Sequence, residues 1–334
     1  MKVFRLCFFI FISSMLQAQD IHFSQFYNSP LTLNAANTGL YEGDYRFANT
    51  YRSQWSKLDP GYRTNAFSFD KTLYTGADQI SGGFLFIYDR SGINRLQSIR
   101  LGLSVAYHRT FGVHSLSAGF QWNYIFKSID RSKITMPEQF NMNTGYFDPS
   151  MPTGEVLLDE KRSFGDINAG LVYQVELNKH FIQAGASFFH LNKPGDTFFN
   201  SNNKLPVRTC LTVSDKIGIG NDYLLHARLL MMQQVKANEY VAGVTLAKQL
   251  SNGESKFTEV NGGLYVRTSP GNGTDAVIPV IGIKYDLFDV ALSYDINISS
   301  LHTATASRGG FEISLIYTAL SSRLFKIKIP CERY

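Results

Sequence analysis

Charged and amide side chains recur at every second position through long stretches of the chain, and these residue types could do chemistry. This spacing places them on one face of extended strands, with apolar side chains on the other face. Facing acids and bases could line a polar conduit or grip a plug. The alternative, which we favour, is a lattice of mutually satisfied hydrogen bonds, because barrel interiors are generally polar. The predicted inward-facing charged residues include Arg46, Arg52, Arg100, Glu176, Arg228, Glu259, Asp295 and Glu312, and the same alternation places Asp166 and Arg267 inward.

Catalytic and metal-binding motifs find little support in the chain. The sequence has neither a Gly-x-Ser-x-Gly elbow nor a His-Glu-x-x-His pair. The acids Asp148, Glu155, Asp159 and Glu160 lack the spacing of a calcium loop. We therefore predict a protein that is not an enzyme and uses no cofactor or metal. A hydrolase would need a serine and a histidine that meet on neighbouring strands.

The stretch Gly165–Asn178 shows most clearly which elements position these side chains. Apolar residues occupy the odd positions from Ile167 to Leu177, and polar or small residues occupy most of the even ones. About a dozen such residues are enough for a tilted strand that crosses a bilayer. The same pattern predicts strands at 44–55, 62–73, 80–88, 97–109, 114–127, 165–177, 180–191, 205–217, 222–233, 240–250, 257–268, 274–286, 288–298 and 310–319.

Fourteen strands of this kind predict an all-β fold, a closed antiparallel transmembrane β-barrel. Closure leaves no strand edge unpaired in lipid, where water cannot satisfy backbone groups. Composition agrees, since charged residues make up only 18% of the chain, against about 25% in soluble domains. The 27 Gly, 26 Phe and 18 Tyr also suit a membrane barrel.

The N-terminus reads as a cleaved signal peptide. Lys2 and Arg5 form its basic region and Leu6–Leu16 its apolar region, with cleavage predicted after Ala18 or one residue later. Removing these two cations lowers the net charge from +5 to +3, which gives no indication of nucleic-acid binding. We expect the remaining cysteines, Cys210 and Cys331, to be free thiols.

Connection lengths orient the barrel and divide the chain. Turns after even-numbered strands are short, whereas several after odd-numbered strands are long, notably 128–164 and 192–204. Short turns of such barrels face the periplasm, so we predict that both termini are periplasmic. The predicted parts are the signal peptide 1–18, a periplasmic or plug segment 19–43, an outer-membrane barrel 44–319 and a periplasmic tail 320–334.

The segment before the first strand is a candidate plug. It alternates poorly and mixes aromatic residues with Asn, Gln and Ser, unlike a flexible linker. We predict either a plug or docking strip for a periplasmic partner, or a cap that only completes the fold. The residues predicted to carry this role are Phe23, Phe26, Tyr27 and Leu33.

The longest predicted loop, 129–163, is a candidate binding surface. Apolar side chains on a long surface loop suggest a contact for a partner. The alternative is a loop that folds back on the barrel mouth and hides them. The candidate contact residues are Met136, Phe140, Met142, Tyr146, Phe147 and Met151.

An ordered set of short motifs resembles the PorP/SprF family of the Bacteroidetes type IX secretion system. The motifs are Asp-x-x-Phe-Ser-Gln-Phe-Tyr at 20–27, Tyr-Arg-Ser-Gln-Trp at 51–55, Gly-Gly at 82–83, Tyr-Asp-Arg-Ser-Gly at 88–92, Met-Pro-Glu-Gln at 136–139, Phe-His-Leu-Asn-Lys-Pro at 189–194 and Ile-Pro-Cys at 329–331. Few such landmarks occur between Leu205 and Lys256. The resemblance implies a secretion and gliding component with a secreted surface protein, bound by its C-terminal sorting domain, as partner.

The same resemblance implies contact with periplasmic components of the secretion system, and the barrel implies contact with outer-membrane lipid. A different class of function stays open, a passive transporter for a small hydrophobic or polar solute. A transporter needs an open path or a displaceable plug, whereas an anchor can be closed.

Overall fold

The alternating stretches form strands that close into one barrel. The computed structural model of the chain describes residues 21–54, 61–75, 78–92, 96–130, 137–148, 150–152, 160–198, 203–250, 256–269, 273–299 and 308–319. The signal peptide 1–18, the tail 320–334 and Cys331 therefore lie outside the described residues. Cys210 is a buried free thiol.

Fourteen antiparallel strands make the barrel, and two short strands form a hairpin in one loop. The barrel closes where the first strand pairs with the last, from Arg46–Thr318 to Gln54–Gly310. Its strands are β1 Tyr45–Gln54, β2 Tyr62–Thr75, β3 Asp78–Ser91, β4 Leu96–Phe111, β5 His114–Ser128, β8 Lys161–Leu177, β9 His180–Phe189, β10 Arg208–Ile219, β11 Tyr223–Gln234, β12 Ala237–Gln249, β13 Phe257–Ser269, β14 Gly273–Tyr285, β15 Phe288–Asn297 and β16 Arg308–Thr318. The hairpin strands are β6 Phe140–Asn141 and β7 Tyr146–Phe147.

The predicted fold and strand count are confirmed, and the differences lie at strand ends. Strand β9 ends at Phe189, two residues before the predicted end, because His190 has a left-handed backbone with φ of 60°. Strand β10 begins at Arg208 and not at Leu205, since Pro206 has no N–H to donate to a ladder. The hairpin of β6 and β7 was not predicted from the sequence.

Side-chain alternation separates a lipid-facing surface from the barrel interior. In β4, Leu101, Leu103, Val105 and Tyr107 point outward and are exposed, as predicted. Their neighbours Gly102, Ser104, Ala106 and His108 are buried inside. Strands of 10 to 17 residues are long enough to cross a bilayer with tilt.

The two ends of the barrel differ in their connections. Two-residue turns at 112–113, 178–179 and 286–287 lie at what we call the short-turn end. The connections 129–160 and 190–207 lie at the other, the long-loop end. None of the helices among the described residues is long and apolar enough to span a membrane.

The loop asymmetry predicts which end faces outward. With Cys331→Ser as background and Cys210 buried, we expect Met142→Cys at the long-loop end to react on intact cells with a membrane-impermeable maleimide. Asp222→Cys, at a short turn, is the matched control and should react only after the cells are broken. Labelling of Asp222→Cys alone on intact cells would reverse the orientation.

Candidate functional site

The N-terminal segment lies inside the barrel. Residues 21–44 contain three short helical turns, Phe26–Asn28, Pro30–Leu33 and Ala35–Asn37, where Pro30 and Asn34 favour turns over strand. Phe23, Leu31 and Ala36 are buried although the segment belongs to no sheet. Its hydrogen bonds reach nearly all parts of the wall, from β1 to β16. We call it the plug segment.

The plug segment starts near the long-loop end. His22 contacts Glu239 at 3.3 Å, where β12 begins, and Ser24 contacts Asp295 near the end of β15. The segment then descends to the short-turn end, where Asp44 precedes β1. Its first described residues are therefore at the end opposite to the one predicted to face the periplasm.

A buried charge cluster, which we call the upper clamp, holds the start of the plug segment. The Glu312 carboxylate accepts the backbone N–H of Ser24 at 2.7 Å and that of Gln25 at 2.9 Å. Arg52 pairs with Glu312 and, at 2.8 Å, with Asp295. The Ser24 hydroxyl donates to Asp295 at 2.7 Å.

Arg267 completes the upper clamp from β13. Its guanidinium donates to Asp295 at 2.9 Å and to Asp275 at 3.0 Å. Two arginines thus face two fully buried acids, Asp295 and Glu312, together with the part-exposed Asp275. Buried charges of this kind are tolerated only when paired and hydrogen-bonded, as they are here.

A second cluster, the lower clamp, holds the end of the plug segment at the short-turn end. Arg46 and the fully buried Asp70 form a two-bond ion pair, with N–O distances of 2.7 and 3.1 Å. Asp70 also accepts the backbone N–H of Gly39 at 2.7 Å, and Arg46 donates to the carbonyl of Asn37 at 3.0 Å. The Tyr41 ring lies 4.6 Å from the Arg46 guanidinium carbon.

Glycines in the wall make room between the clamps. A Cβ on Gly119 would lie 2.3 Å from backbone atoms of Ala35 and Ala36. A Cβ on Gly170 would lie 1.9 Å from Oδ1 of Asn34. The Asn34 amide donates to two wall carbonyls, those of Leu171 at 3.1 Å and Ala186 at 3.2 Å. The wall and the plug segment are thus complementary in shape.

Aromatic residues of the plug segment pack on the opposite wall. Phe26 is buried in a cluster with Tyr265, and Leu33 and Tyr27 pack against the same cluster. The Tyr27 ring stacks on Tyr265 at 5.6 Å between centroids, and the Arg228 guanidinium carbon lies 4.0 Å from its centre. Burial raises the pKa of the Tyr27 hydroxyl well above its usual value, with the neighbouring Tyr265 adding to the rise.

The structure places the predicted inward-facing residues in three groups. Arg46, Arg52, Asp295 and Glu312 form the clamps, and Arg228 holds Tyr27. Arg100 and Glu259 are half-buried without contacting the clamps. Glu176 continues the inward alternation and is exposed at the end of β8.

Several residues of the site were not predicted. Asp70 lies on the inward face, and the alternation of its strand could have revealed it, whereas Arg267 was among the residues predicted to point inward. Ser24, Asn34 and Gly119 carry no local signal, because their role depends on a segment lying against a distant wall.

A serine and a histidine do meet on neighbouring strands. The Nδ1 atom of His108 in β4 lies 2.7 Å from Oγ of Ser117 in β5, and its Nε2 atom lies 2.8 Å from the carbonyl oxygen of Thr38. Both side chains are buried beneath the plug segment. The serine lies at Nδ1, the ring nitrogen that binds the carboxylate in a hydrolase triad, and a backbone carbonyl lies at Nε2. The pair therefore ties the plug segment to the wall. Among the described residues, no three His, Cys, Asp or Glu are grouped to hold a metal.

A cavity of about 240 Å³ remains beside the plug segment, toward the short-turn end. It is bounded by Tyr27 and Leu33 on one side and by Lys216, His226 and Arg228 of the wall on the other. The plug segment therefore fills the lumen incompletely.

The hairpin of β6 and β7 projects from the long-loop end. Met142 is 91% exposed and Tyr146 77%, and Phe140 and Phe147 are also exposed, with their rings 5.3 Å apart. These four predicted contact residues are in solvent and not folded back onto the mouth. Met151 is half-buried, and Met136 lies outside the described residues.

Polar contacts give the hairpin a defined shape. The buried Gln139 side chain donates to the backbone carbonyl of Met151 at 3.1 Å. The backbone carbonyl of Gln139 accepts the N–H of Asp148 at 2.8 Å. The hydroxyl and N–H of Ser150 bind the Asp148 carboxylate and lower its pKa. The exposed apolar side chains thus stand on an ordered base.

Comparison with known families identifies the chain. The model of the type IX secretion system membrane protein PorP/SprF matches residues 15–317, which include the plug segment and nearly the whole barrel. The chain belongs to the PorP/SprF family. No protein with a curated description matches it.

Solved structures similar to this PorP/SprF barrel are membrane channels and receptors. The CymD monoaromatic hydrocarbon channel is 11% identical with a TM-score of 0.51, over 89% of this chain and 94% of that one. The toluene transporter TbuX of Ralstonia pickettii is 9% identical with a TM-score of 0.47, over 87% and 94%.

The ferric enterobactin receptor PfeA of Pseudomonas aeruginosa is 11% identical with a TM-score of 0.38. The match covers 76% of this chain and 53% of the receptor, so the chain spans about half of that receptor's length. At these identities the likeness concerns the barrel fold alone.

Removal of the Glu312 carboxylate from the upper clamp should lower the free energy of unfolding strongly. Glu312→Ala leaves Arg52 buried with one partner fewer and frees two N–H groups, which should cost about 3–5 kcal/mol of unfolding free energy. The measurement is urea unfolding in phospholipid vesicles followed by tryptophan fluorescence. Glu176→Ala, at an exposed acid, should stay within about 0.5 kcal/mol of the wild type. Equal effects of the two variants would contradict the clamp.

The wall glycines predict a displacement of the plug segment in this PorP/SprF protein. Gly119→Val places side-chain atoms where Ala35 and Ala36 now lie, and backbone atoms cannot rotate away. Hydrogen exchange of amides 34–38 should therefore accelerate by about tenfold or more, since 1.4 kcal/mol of lost protection is a factor of ten. Gly82→Val, on the outer face with no atom within 4 Å, should leave their exchange unchanged. Unchanged exchange in Gly119→Val would show that the segment does not rest on this wall.

Proposed function

We propose that this outer-membrane barrel is a non-enzymatic component of the type IX secretion and gliding machinery that holds or delivers a secreted surface protein. The long-loop end would contact the C-terminal sorting domain of that protein. The observation that carries the proposal is the exposed apolar hairpin of Phe140, Met142, Tyr146 and Phe147.

The composition of the hairpin supports a protein contact. Exposed aromatic residues and Met are enriched where proteins bind one another, and a flexible Met side chain adapts to varied partners. The base formed by Gln139, Asp148 and Ser150 keeps these side chains outward, so little ordering is needed upon binding.

The occupied lumen supports contact in preference to conduction. Opening a path along the upper clamp would separate the members of buried ion pairs. Breaking one such pair costs about 3–5 kcal/mol. A barrel that works through its surfaces has no need to open its lumen.

The other proposed partners follow from the positions of the two barrel ends and of the plug segment. The short-turn end and the basic tail 320–334 would meet periplasmic components of the secretion system, whereas the start of the plug segment lies nearer the outer mouth. Outer-membrane lipid surrounds the strands. No observation favours a nucleic acid as a partner.

A passive transporter is the second candidate, and the cavity beside Tyr27 and Arg228 favours it. The fold likeness to CymD is compatible with a channel but shows the fold alone. In this alternative the plug segment would move to join the cavity to both ends.

The hairpin predicts the outcome of a co-purification experiment. Tagged protein extracted gently from native outer membranes should retain a large surface protein with a sorting domain. Changing Phe140, Met142, Tyr146 and Phe147 to Ser should lower the amount retained by about tenfold or more, as expected when a central apolar contact is lost.

Asn143→Ala with Thr144→Ala, at the polar tip of the same hairpin, is the matched control and should retain the partner. Finding no partner, together with ion conductance or solute uptake by the wild type in reconstituted vesicles, would overturn the proposal in favour of a transporter.

A further inference from the structure

A row of polar side chains, three of them basic, crosses the outer surface of the barrel near the long-loop end. Arg63 of β2 pairs in register with Arg90 of β3, and Arg90 with Gln97 of β4. Gln97 is opposite Ser128 of β5, and Ser128 is opposite Lys161 of β8. We call these five residues the basic row.

Alternation places the basic row on the face that meets lipid. The inward neighbours Thr64, Asp89 and Lys127 take interior partners, and Lys127 pairs with Asp196. A second outward row runs parallel to the basic row, two residues closer to the barrel centre. Its residues are mostly apolar and aromatic: Asn65, Tyr88, Ile99, Phe126 and Ser163. An aromatic band below a basic band is typical of the level where acyl chains give way to headgroups.

The three cations of the basic row lack an acidic partner in the part of the chain that the structure describes. Among the described residues, neither Arg63, Arg90 nor Lys161 forms an ion pair with a carboxylate. The buried Nε atom of Arg90 also has no hydrogen-bond acceptor in the described part of the chain. Clustered like charges without acids indicate an anionic ligand.

A cavity of about 370 Å³ lies at the Lys161 end of the basic row. Its lining includes the apolar Ile99 and Phe126 and the hydrogen-bond donors Gln97, Ser128 and Lys161. A lining that combines apolar with polar and cationic side chains suits a headgroup with an attached acyl chain.

The opposite side of the barrel differs. The corresponding outward positions near the long-loop ends of β10, β11 and β12 are Thr209, Gln233 and Asn238, which lie side by side in register and carry no charge. The basic row is therefore a local feature and not a ring around the barrel.

We propose that the basic row binds the phosphate groups of a phosphorylated glycolipid in the outer leaflet. Arg63 and Arg90 lie on adjacent strands, and Lys161 lies three strands beyond Arg90. At about 4.8 Å per strand, two positive centres roughly 14 Å apart face the lipid. Such spacing suits a headgroup with two separate phosphates, which guanidinium groups bind through paired N–H donors.

This site rests on the long-loop end facing outward and is independent of the proposed cargo function. Binding there would fix one side of the barrel to the leaflet and orient the hairpin above it.

The test is titration of the purified full-length barrel with diphosphorylated lipid A, followed by native mass spectrometry. Changing Arg63, Arg90 and Lys161 together to Gln should weaken binding by about tenfold or more, since charge-assisted hydrogen bonds to phosphate are lost. Changing Lys71, Arg109 and Lys248 to Gln alters three exposed cations at the short-turn end and should leave binding unchanged. Heat-modifiable gel migration checks that both variants are folded.

Two further probes separate the sources of phosphate. Dephosphorylated lipid A should bind the wild type weakly. Its affinity should equal that of diphosphorylated lipid A for the triple variant. Phosphatidylglycerol should not compete with diphosphorylated lipid A for the wild type. Equal binding of the triple variant and the wild type, equal binding of the dephosphorylated lipid, or full competition by phosphatidylglycerol would each overturn the proposal.

Discussion

Burial of the Glu312 carboxylate inside the barrel is the constraint on which the rest of the interior depends. A fully buried acid is tolerated only when its charge and lone pairs are satisfied, and the Glu312 side chain is fully buried. Arg52 supplies the counter-charge, and the backbone of Ser24 and Gln25 supplies two donors. The plug segment is thus a partner that the wall requires. The last strand, the first strand and the segment are fixed together, and the barrel closes at this place.

The wall and the plug segment also match in shape. Gly119 and Gly170 leave hollows in the wall that the turns of the plug segment occupy. Asn34 uses its amide both to cap a turn and to satisfy wall carbonyls. Because the segment is irregular, its own backbone groups need partners, and His108, Gln121 and Asp70 provide them. Polar wall residues that would otherwise face a water-filled channel are paired with a piece of the same chain.

With the interior largely occupied, the outer surfaces are free to carry function. The long-loop end has an ordered hairpin with apolar side chains, and the adjacent lipid face carries cations that have no acidic partner among the described residues. The hairpin and the basic row are also neighbours along the chain. The hairpin lies in the connection between β5 and β8, and the basic row ends on β8. A protein contact above a lipid contact is a reasonable arrangement for holding cargo at a membrane surface.

The sequence by itself determined the barrel. A period of two is a local property of each strand, so the number of strands, their faces and the asymmetry of their connections could all be predicted from residue types. Alternation also identified Arg46, Arg52, Arg228, Asp295 and Glu312 as inward. Alternation does not indicate how far an interior is filled at a strand's end, and Glu176, at the end of β8, is exposed.

Only the tertiary structure decided which inward residues meet. Ser24 and Glu312 are 288 residues apart, and their contact depends on closure between the first and last strands and on the course of an irregular segment. The basic row likewise exists only in the register between five strands, since Arg63, Arg90 and Lys161 are unremarkable in their own strands. Register and closure are set by all strand pairings together, and no local pattern contains them.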